Sequence, residues 1–228
     1  MKKLIAVALL TSFVFLKTQA QDFYLLGGFN FANITKTSSG QTENNNMLTT
    51  FNVGGMGRFG LSKIVDLESG LIFQGRGSKA ETYFNGGADY VKSKFNPFYL
   101  ELPLNLVVRV PIAFNSHLFF HGGPYIAMGI AGKSKLDSKI GPIYSSSTET
   151  IKFSNDDPFT SQQDDAAYDK LKRFDYGINL GGGFQFKHLL LRANYGLGLS
   201  KINSTQSNNN VDDKNKYRTI NLSVGIPL

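Results

Sequence analysis

The stretch of sequence that decides the fold is FDYGINLGGGFQFKHLLLRANYGLG, which runs from Phe174 to Gly198. Apolar residues alternate with polar residues or glycine on both sides of an interruption at Lys187-His188. A period of two predicts β-strands, because successive side chains of a strand point to opposite faces of the sheet. The stretch therefore predicts two long strands joined by a tight turn. Soluble sheets contain such strands, but a barrel that spans a membrane requires them.

The same alternation recurs along the chain and predicts eight strands. They are Asp22–Asn33, Leu48–Ser62, Val65–Ser78, Asn96–Val110, His117–Gly132, Lys172–Phe186, Leu189–Lys201 and Lys216–Ile226. Eight is the smallest number of strands found in bacterial outer-membrane barrels. The sequence thus predicts an all-β fold, an eight-stranded antiparallel up-and-down transmembrane β-barrel.

The connections between these strands alternate strictly between long and short. The short ones are Ser62–Val65, Pro111–Ser116 and Lys187–His188, and the long polar ones are Ile34–Met47, Lys79–Phe95, Lys133–Leu171 and Ile202–Asn215. An up-and-down barrel places all long loops at one end and all tight turns at the other. This arrangement is typical of outer-membrane barrels, which have short periplasmic turns and longer extracellular loops.

Residues Met1–Ala20 have the features of a secretory signal peptide. Lys2 and Lys3 supply positive charge, and Leu4–Leu16 supplies an apolar core that is shorter than a membrane-spanning helix. We expect cleavage before Gln21, which leaves residues 21–228 as one outer-membrane barrel domain.

Composition excludes several classes of function. The chain has no cysteine, which excludes disulfides, thiolate metal sites and a cysteine nucleophile. Its net charge is +7, but the lysines and arginines are scattered, so nucleic-acid binding is not supported. His117 and His121 are too far apart on a strand to chelate one metal, and the acidic pairs Asp156-Asp157 and Asp164-Asp165 lack the spacing of a calcium loop. We predict no catalytic, cofactor-binding or metal-binding residue.

The alternation also assigns side chains to the two faces of the barrel. The predicted lipid-facing residues are Leu100, Leu102, Leu104, Phe174, Tyr176, Leu180, Phe184, Leu191 and Tyr195. The predicted lumen residues, which form a structural network of ion pairs, are Arg58, Glu68, Arg76, Glu101, Arg109, Asp175 and Arg192. Arg58 should pair with Glu68 near the tight turns, and Arg76 with Glu101 nearer the long loops. An eight-stranded barrel is just wide enough for side chains to fill, so a wide pore is not expected.

Five segments of the chain resemble, in order, the outer-membrane β-barrel domain family of the Gram-negative Bacteroidota, a porin-family or PorT-like group of small barrels. They are Gly27–Phe31, Tyr99–Leu104, Gly123–Lys133, Asp175–Gly183 and Tyr195–Leu199. The most specific is the second, which is similar to the family's tyrosine-x-glutamate-x-proline strand. The resemblance covers essentially the whole predicted domain and implies an eight-stranded outer-membrane barrel. The family has no common catalytic residues.

These observations favour a non-enzymatic barrel whose outer loops contact a ligand, a partner protein or surface polysaccharide. Its other expected partners are outer-membrane lipid and, during insertion, the barrel-assembly machinery. Three alternatives stay open: a narrow channel for small solutes, a lipid-modifying enzyme, and a secreted soluble barrel with its apolar residues inside. An enzyme is disfavoured because Ser116 and His117, as neighbours in a strand, point to opposite faces, and no other nucleophile and base stand at catalytic spacing.

Overall fold

The computed structural model describes residues 21–38, 41–44, 47–154, 170–200, 202 and 216–228. The predicted signal segment, both acidic pairs of the longest loop and nearly all of the loop Ile202–Asn215 lie outside these residues. Within the described ranges, no helix has the length and apolar character needed to cross a membrane.

The described part of the chain is almost entirely β-structure, with one short 3-10 turn at Asn85–Gly87. The strands are β1 (Gln21–Ser38), β2 (Gln41–Asn44), β3 (Leu48–Gly60), β4 (Val65–Gly75), β5 (Ser78–Phe84), β6 (Asp89–Ala113), β7 (Ser116–Ile140), β8 (Ile143–Thr150), β9 (Lys152–Ser154), β10 (Lys170–Lys172), β11 (Phe174–Gln185), β12 (Leu190–Gly198) and β13 (Lys216–Pro227).

Among the described residues, eight strands close a ring in which every pair is antiparallel. The order around the ring is β1, β3, β4, β6, β7, β11, β12 and β13. The ring is closed by β13 and β1, with Tyr24 opposite Pro227 at one end of the pair and Thr35 opposite Lys216 at the other. Closure pairs the edges that an open sheet would leave exposed. The predicted eight-stranded antiparallel up-and-down barrel is confirmed.

One end of the ring carries the tight turns. Residues 61–64 join β3 to β4, and the predicted two-residue turn at Lys187-His188 joins β11 to β12. The turn between β6 and β7 is shorter than the predicted Pro111–Ser116, because β6 continues past Pro111 and only Phe114-Asn115 are left to turn the chain. A proline this close to the end of a strand removes little of the hydrogen-bond ladder.

The other end of the ring carries a four-stranded sheet, which we call the extension. It consists of β5, the first part of β6, the last part of β7, and β8, paired in that order. The predicted loops Lys79–Phe95 and Lys133–Leu171 are therefore wrong over much of their length, and the predicted strand Val65–Ser78 is divided into β4 and β5 at Arg76-Gly77. The predicted loop Ile34–Met47 is likewise shortened, since β1 runs to Ser38 and pairs with β2.

These errors have one physical cause. The strands of the extension carry polar and charged side chains on both faces, so the apolar alternation that marks the membrane strands is lost. The backbone ladder nevertheless continues, because main-chain hydrogen bonding does not depend on that alternation.

The two faces of the ring differ in polarity as an outer-membrane barrel requires. On β6, Leu102 and Leu104 are exposed on the outside, whereas Glu101 and Asn105, which flank them, are buried inside. Inside the ring, apolar residues cluster towards the tight turns at Tyr24, Leu26, Met56, Ile72, Val107, Phe119 and Leu190. A second cluster lies towards the extension at Ile34, Tyr99, Tyr125, Ala127, Ile151, Leu171, Ile202 and Tyr217.

Candidate functional site: the charged interior of the barrel

Charged side chains line the interior because they occupy inward-facing positions of the strands. Among the described residues, the interior ion pairs join four arginines to four carboxylates, so the charges of this set balance. They are Arg58, Arg76, Arg109 and Arg192 with Asp66, Glu68, Glu101 and Asp175. A buried charge must find such a partner to offset the loss of its hydration.

Glu68 is the centre of the lower group of charges, which lies towards the tight turns. Its Oε2 accepts hydrogen bonds from Arg58 Nε at 2.8 Å and from Tyr24 OH at 2.5 Å. Its Oε1 accepts from Arg192 Nη1 at 2.7 Å and from Asn105 Nδ2 at 3.0 Å. The side chain is fully buried, and each of its two oxygens has two donors.

Arg58 has further contacts that fix its guanidinium group. It lies directly opposite Glu68 in the register of β3 and β4. Its Nη1 donates to Gln185 Oε1 at 2.6 Å, and its guanidinium carbon lies 4.3 Å from the centre of the Phe119 ring and 5.3 Å from that of Tyr24. Contact with an aromatic face partly compensates a desolvated cation.

The upper group of charges lies towards the extension and is centred on Arg76. This arginine forms ion pairs with both Glu101 and Asp175, and it lies 4.7 Å from the centre of the Tyr125 ring. Tyr125 OH donates to Asp175 Oδ2 at 3.0 Å. One cation thus holds two carboxylates, the reverse of the lower group, where one carboxylate holds two cations.

Amide side chains form a further set of hydrogen bonds in the interior, and this set reaches the upper group. Asn30 Nδ2 donates to Gln74 Oε1 at 3.0 Å, and Asn52 Nδ2 and Asn221 Nδ2 both donate to Asn30 Oδ1, at 2.6 and 2.8 Å. Asn179 Nδ2 donates to Glu101 Oε1 at 2.8 Å. None of these amides is among the predicted lumen residues, although each is an inward polar residue of a predicted strand.

Arg109 stands apart from both groups. Its Nε lies 2.7 Å from Asp66 Oδ2, and its side chain is 21 % exposed at the tight-turn end of the interior. Asp66 was missed as its partner, although it lies only two residues before Glu68 on the same face of β4. The structure therefore brings all seven predicted lumen residues into ion pairs, with Asp66 as an addition.

Little space is left inside the barrel. An interior cavity of about 20 Å³ lies among Asn52, Gln74, Glu101, Asn179, Arg192 and Asn221. Such a volume holds about one water molecule. This cavity is too small to form part of a continuous aqueous path.

Apolar residues of the longest predicted loop close the interior at the upper end. Ile151 and Leu171 are buried in the upper cluster, and the Phe153 ring meets the Tyr99 ring edge-on at 5.8 Å between centroids. Tyr99 in turn packs edge-on against Tyr217 at 5.6 Å. The sequence predicts this segment only as part of the long polar loop Lys133–Leu171. The apolar alternation of Ile151 and Phe153 is the signal that could have identified the contact.

The predicted lipid-facing residues lie on the outside of the ring. Leu102, Leu104, Phe174, Leu180, Phe184, Leu191 and Tyr195 are exposed, and Leu100 and Tyr176 are half-buried between their outer neighbours.

The histidines do not form a reactive group. His121 is buried in the interior, with its Nε2 2.9 Å from Asn194 Oδ1. His117 is half-buried on the same strand, and His188 is exposed in a tight turn. In the part of the chain that the structure describes, no three His, Asp or Glu side chains are grouped so that they could hold a metal ion.

Comparison with known proteins gives one family match. A family model described as outer membrane protein beta-barrel domain matches residues 19–204. Among solved structures, the chain is similar to Ail, the attachment invasion locus protein of Yersinia pestis, at 15% identity over 92% of this chain and 100% of that chain, with a TM-score of 0.40. It is also similar to Neisserial surface protein A, at 11% identity over 92% of this chain and 99% of that chain, with a TM-score of 0.39. A third similar structure is OprG from Pseudomonas aeruginosa, at 11% identity over 92% of this chain and 96% of that chain, with a TM-score of 0.39. No curated protein matches the chain.

Proposed function

Because the chain belongs to the outer membrane protein beta-barrel domain family, we propose that it is a non-enzymatic outer-membrane protein that acts through its outer surface and not through its lumen. The extracellular end supplies the contact with a ligand or partner protein. The ring anchors that end in the lipid.

The observation that carries this proposal is the filled interior. Arg76, held between Glu101 and Asp175, occupies the interior below an apolar layer that includes Tyr99 and Ile151. Passage of a solute would require these buried ion pairs to separate, and breaking a buried pair costs about 3–5 kcal/mol. This disfavours the alternative of a narrow channel.

The extension supports the second half of the proposal. Its strands continue for about eight residues beyond the ring, from Lys133 to Ile140 on β7, which is about 25 Å at about 3.3 Å per residue. The tip exposes large side chains that include Ile140, Ile143 and Tyr144 at 61–70 %. A paired sheet holds these side chains in fixed positions, as a recognition surface requires.

The interior histidine argues for the absence of catalysis. The Nε2 of His121 is engaged with an amide oxygen, and its Nδ1 has no hydrogen-bond partner among the described residues. A hydrolytic site would need a base within hydrogen-bond reach of its nucleophile.

The polar interior and apolar exterior also have the reverse polarity of a soluble ligand-binding barrel.

Finer parts of the proposal rest on the sequence. The motif from Tyr99 to Pro103 supports a place in the Bacteroidota, PorT-like branch of such barrels, and Met1–Ala20 supports export by a cleaved signal peptide and insertion by the barrel-assembly machinery. N-terminal sequencing of the membrane-inserted protein should begin at Gln21.

Site-specific photo-crosslinking in intact cells tests the proposed surface role. A photo-reactive phenylalanine derivative replaces Tyr144 at the tip of the extension, and the control variant carries it at Phe114, which is 94 % exposed in a tight turn at the opposite end. We expect adducts with a cell-surface or extracellular component from position 144 and not from position 114. Absence of adducts at 144, or the same adducts from both positions, would contradict the proposal.

A further inference from the structure

Three lysines stand directly opposite one another on the outward face of the extension. In the register of the sheet, Lys79 of β5 is opposite Lys94 of β6, and Lys94 is opposite Lys135 of β7. Thr148 of β8 completes this row. Cross-strand neighbours share a face of the sheet, and like charges placed directly opposite each other destabilise it. The row therefore opposes the stability of the sheet that carries it.

Neighbouring rows show that this repulsion is not a general property of the extension. One row farther from the ring, Glu81, Lys92 and Asp137 alternate in sign on the same three strands. One row nearer the ring, Lys133 adds another positive charge opposite Asn96. Positive charge is thus concentrated in the two rows closest to the ring.

Lys94 and Lys133 differ from the other lysines of these two rows in their ion pairs among the described residues. Lys79 lies 3.5 Å from Glu81, and Lys135 lies 2.8 Å from Asp137. Lys94 and Lys133 have no carboxylate within 4.0 Å among the residues that the structure describes. Their ammonium groups are exposed and available to an external anion.

A groove of about 450 Å³ runs past these unpaired lysines. Its polar lining consists of Lys94, Asn96, Lys133, Lys135, Thr148 and Thr150, and its apolar lining includes Phe98 and Ala131. The groove thus has a cationic and hydroxyl-bearing part that continues directly into an apolar part. This is the polarity of a site for an amphiphile.

The height of the groove corresponds to the membrane surface. Phe98 packs with Phe51 and Phe73 at centroid distances of 5.6 and 5.3 Å, as part of an outward aromatic cluster of the kind that borders the apolar belt of outer-membrane barrels. A tilted strand advances about 2.5 Å per residue along the barrel axis, so the rows of Lys133 and Lys94 lie about 5 and 10 Å beyond Phe98. The polar headgroup layer of a bilayer is about 5–7 Å thick, and lysine stems can bend towards it.

We propose that this groove binds the phosphate group of a lipid in the outer leaflet, with Lys94 and Lys133 on the phosphate and the first part of the acyl chains against Phe98 and Ala131. A phosphate on Lys94 offsets the repulsion of this lysine with Lys79 and Lys135 on either side of it. The site goes beyond the proposed surface function, because it anchors the base of the extension to lipid instead of recognising an extracellular partner.

An acidic polysaccharide would contact the same lysines but would leave the apolar part of the groove unoccupied. Inorganic phosphate would also leave Phe98 and Ala131 without a role. The continuity of the groove with the lipid-facing surface favours the lipid over both.

Native mass spectrometry of the folded full-length protein in detergent tests the proposal. The probes are phosphorylated lipid A and the same lipid A after enzymatic removal of its phosphates. The test variant K94Q/K133Q leaves the Lys135–Asp137 pair intact, and the charge-matched control K63Q/K187Q removes two exposed lysines from the tight turns. Heat-dependent gel mobility confirms that each variant is folded.

We expect wild type and K63Q/K187Q to prefer the phosphorylated lipid, and K94Q/K133Q to bind it about 30-fold more weakly, from about fivefold per lysine near an anionic lipid surface. The variant K94R/K133R should retain binding. Equal affinity for both lipids, or equal losses in the two glutamine variants, would overturn the proposal. So would lysine-dependent binding of dextran sulfate or inorganic phosphate without binding of the lipid, which would assign the groove to a polymer or a free anion.

Discussion

Replacing Glu68 with glutamine removes the carboxylate that Arg58 and Arg192 share while preserving the volume of the side chain. At an effective dielectric constant of about 20 and a charge separation of about 4 Å, each arginine interacts with the carboxylate by about 4 kcal/mol. Tyr24 and Asn105 donate to different oxygens of the carboxylate, so the single amide oxygen of glutamine keeps the acceptor of only one of them. The measured cost of leaving such a buried charge unpaired is about 3–5 kcal/mol, and we expect the free energy of unfolding to fall by that amount.

Urea unfolding of the protein refolded into phosphatidylcholine vesicles measures this loss. The chain has no tryptophan, so the folded fraction is best read from the mobility of unboiled samples on a gel. Glu149→Gln is the matched control, because it makes the same chemical change at an exposed position of β8 and should alter stability by less than about 0.5 kcal/mol.

A double variant tests whether the loss arises from the unpaired charge. In E68Q/R192Q the second substitution removes one of the cations that the first leaves unpaired, so the combined loss should be smaller than the sum of the two single losses. A loss below about 1 kcal/mol for E68Q, or strict additivity with R192Q, would refute the reasoning that the interior is stabilised by charge pairing.

Three further perturbations test other parts of the structure. Gly28→Ala should lower the free energy of unfolding by about 1–3 kcal/mol, because the added Cβ would lie 2.0 Å from the backbone oxygen of Leu222 on the neighbouring strand β13. Gly27→Ala should be nearly neutral, since the atom nearest to its Cβ would be 3.8 Å away. Equal losses in the two variants would contradict this. Leu104→Arg should cost about 2–4 kcal/mol in the same urea assay if this side chain faces lipid, and a neutral result would contradict the face assignment. Asp89 lies in the extension outside the membrane, and hydrogen bonds from the Gly141 N–H and a neighbouring amide hold its pKa below the usual range. The NMR shift of the Gly141 amide should therefore stay constant above about pH 4 and change only at lower pH, as the carboxylate protonates and the contact is lost. A change centred at higher pH would contradict this assignment.

The membrane strands could be predicted from the sequence because lipid on one side and a packed polar interior on the other impose a strict period of two. The hairpin from Phe174 to Gly198 shows this directly: its turn falls at Lys187-His188 as predicted. The strands of the extension could not be predicted in this way. Between Asp89 and Phe95 both faces are largely polar, so the sequence carries no period that reports the strand.

The interior could be predicted where a tight turn fixes the register. Arg58 and Glu68 can be placed opposite each other by counting from the turn between β3 and β4. Arg192 reaches the same carboxylate from 124 residues away, across a closed ring whose register no short connection sets. Spacing along the sequence therefore could not bring it to Glu68, and the packing of the whole barrel was needed.

The lysine row could not be predicted from the sequence for the same reason. Lys79, Lys94 and Lys135 are scattered along the chain and become neighbours only through the pairing of β5, β6 and β7. A net charge of +7 spread over the sequence gave no indication of a local concentration.

The most direct test of the filled interior is electrical recording from planar lipid bilayers that contain the folded wild-type protein. Insertion is verified in parallel by the mobility shift of unboiled protein recovered from vesicles of the same lipid. Because the ion pairs of Arg58, Arg76 and Arg192 occupy the interior, we predict no stepwise increase in current at potentials that the bilayer tolerates. Reproducible ohmic steps from the folded wild-type protein would contradict the closed interior and the surface function proposed from it.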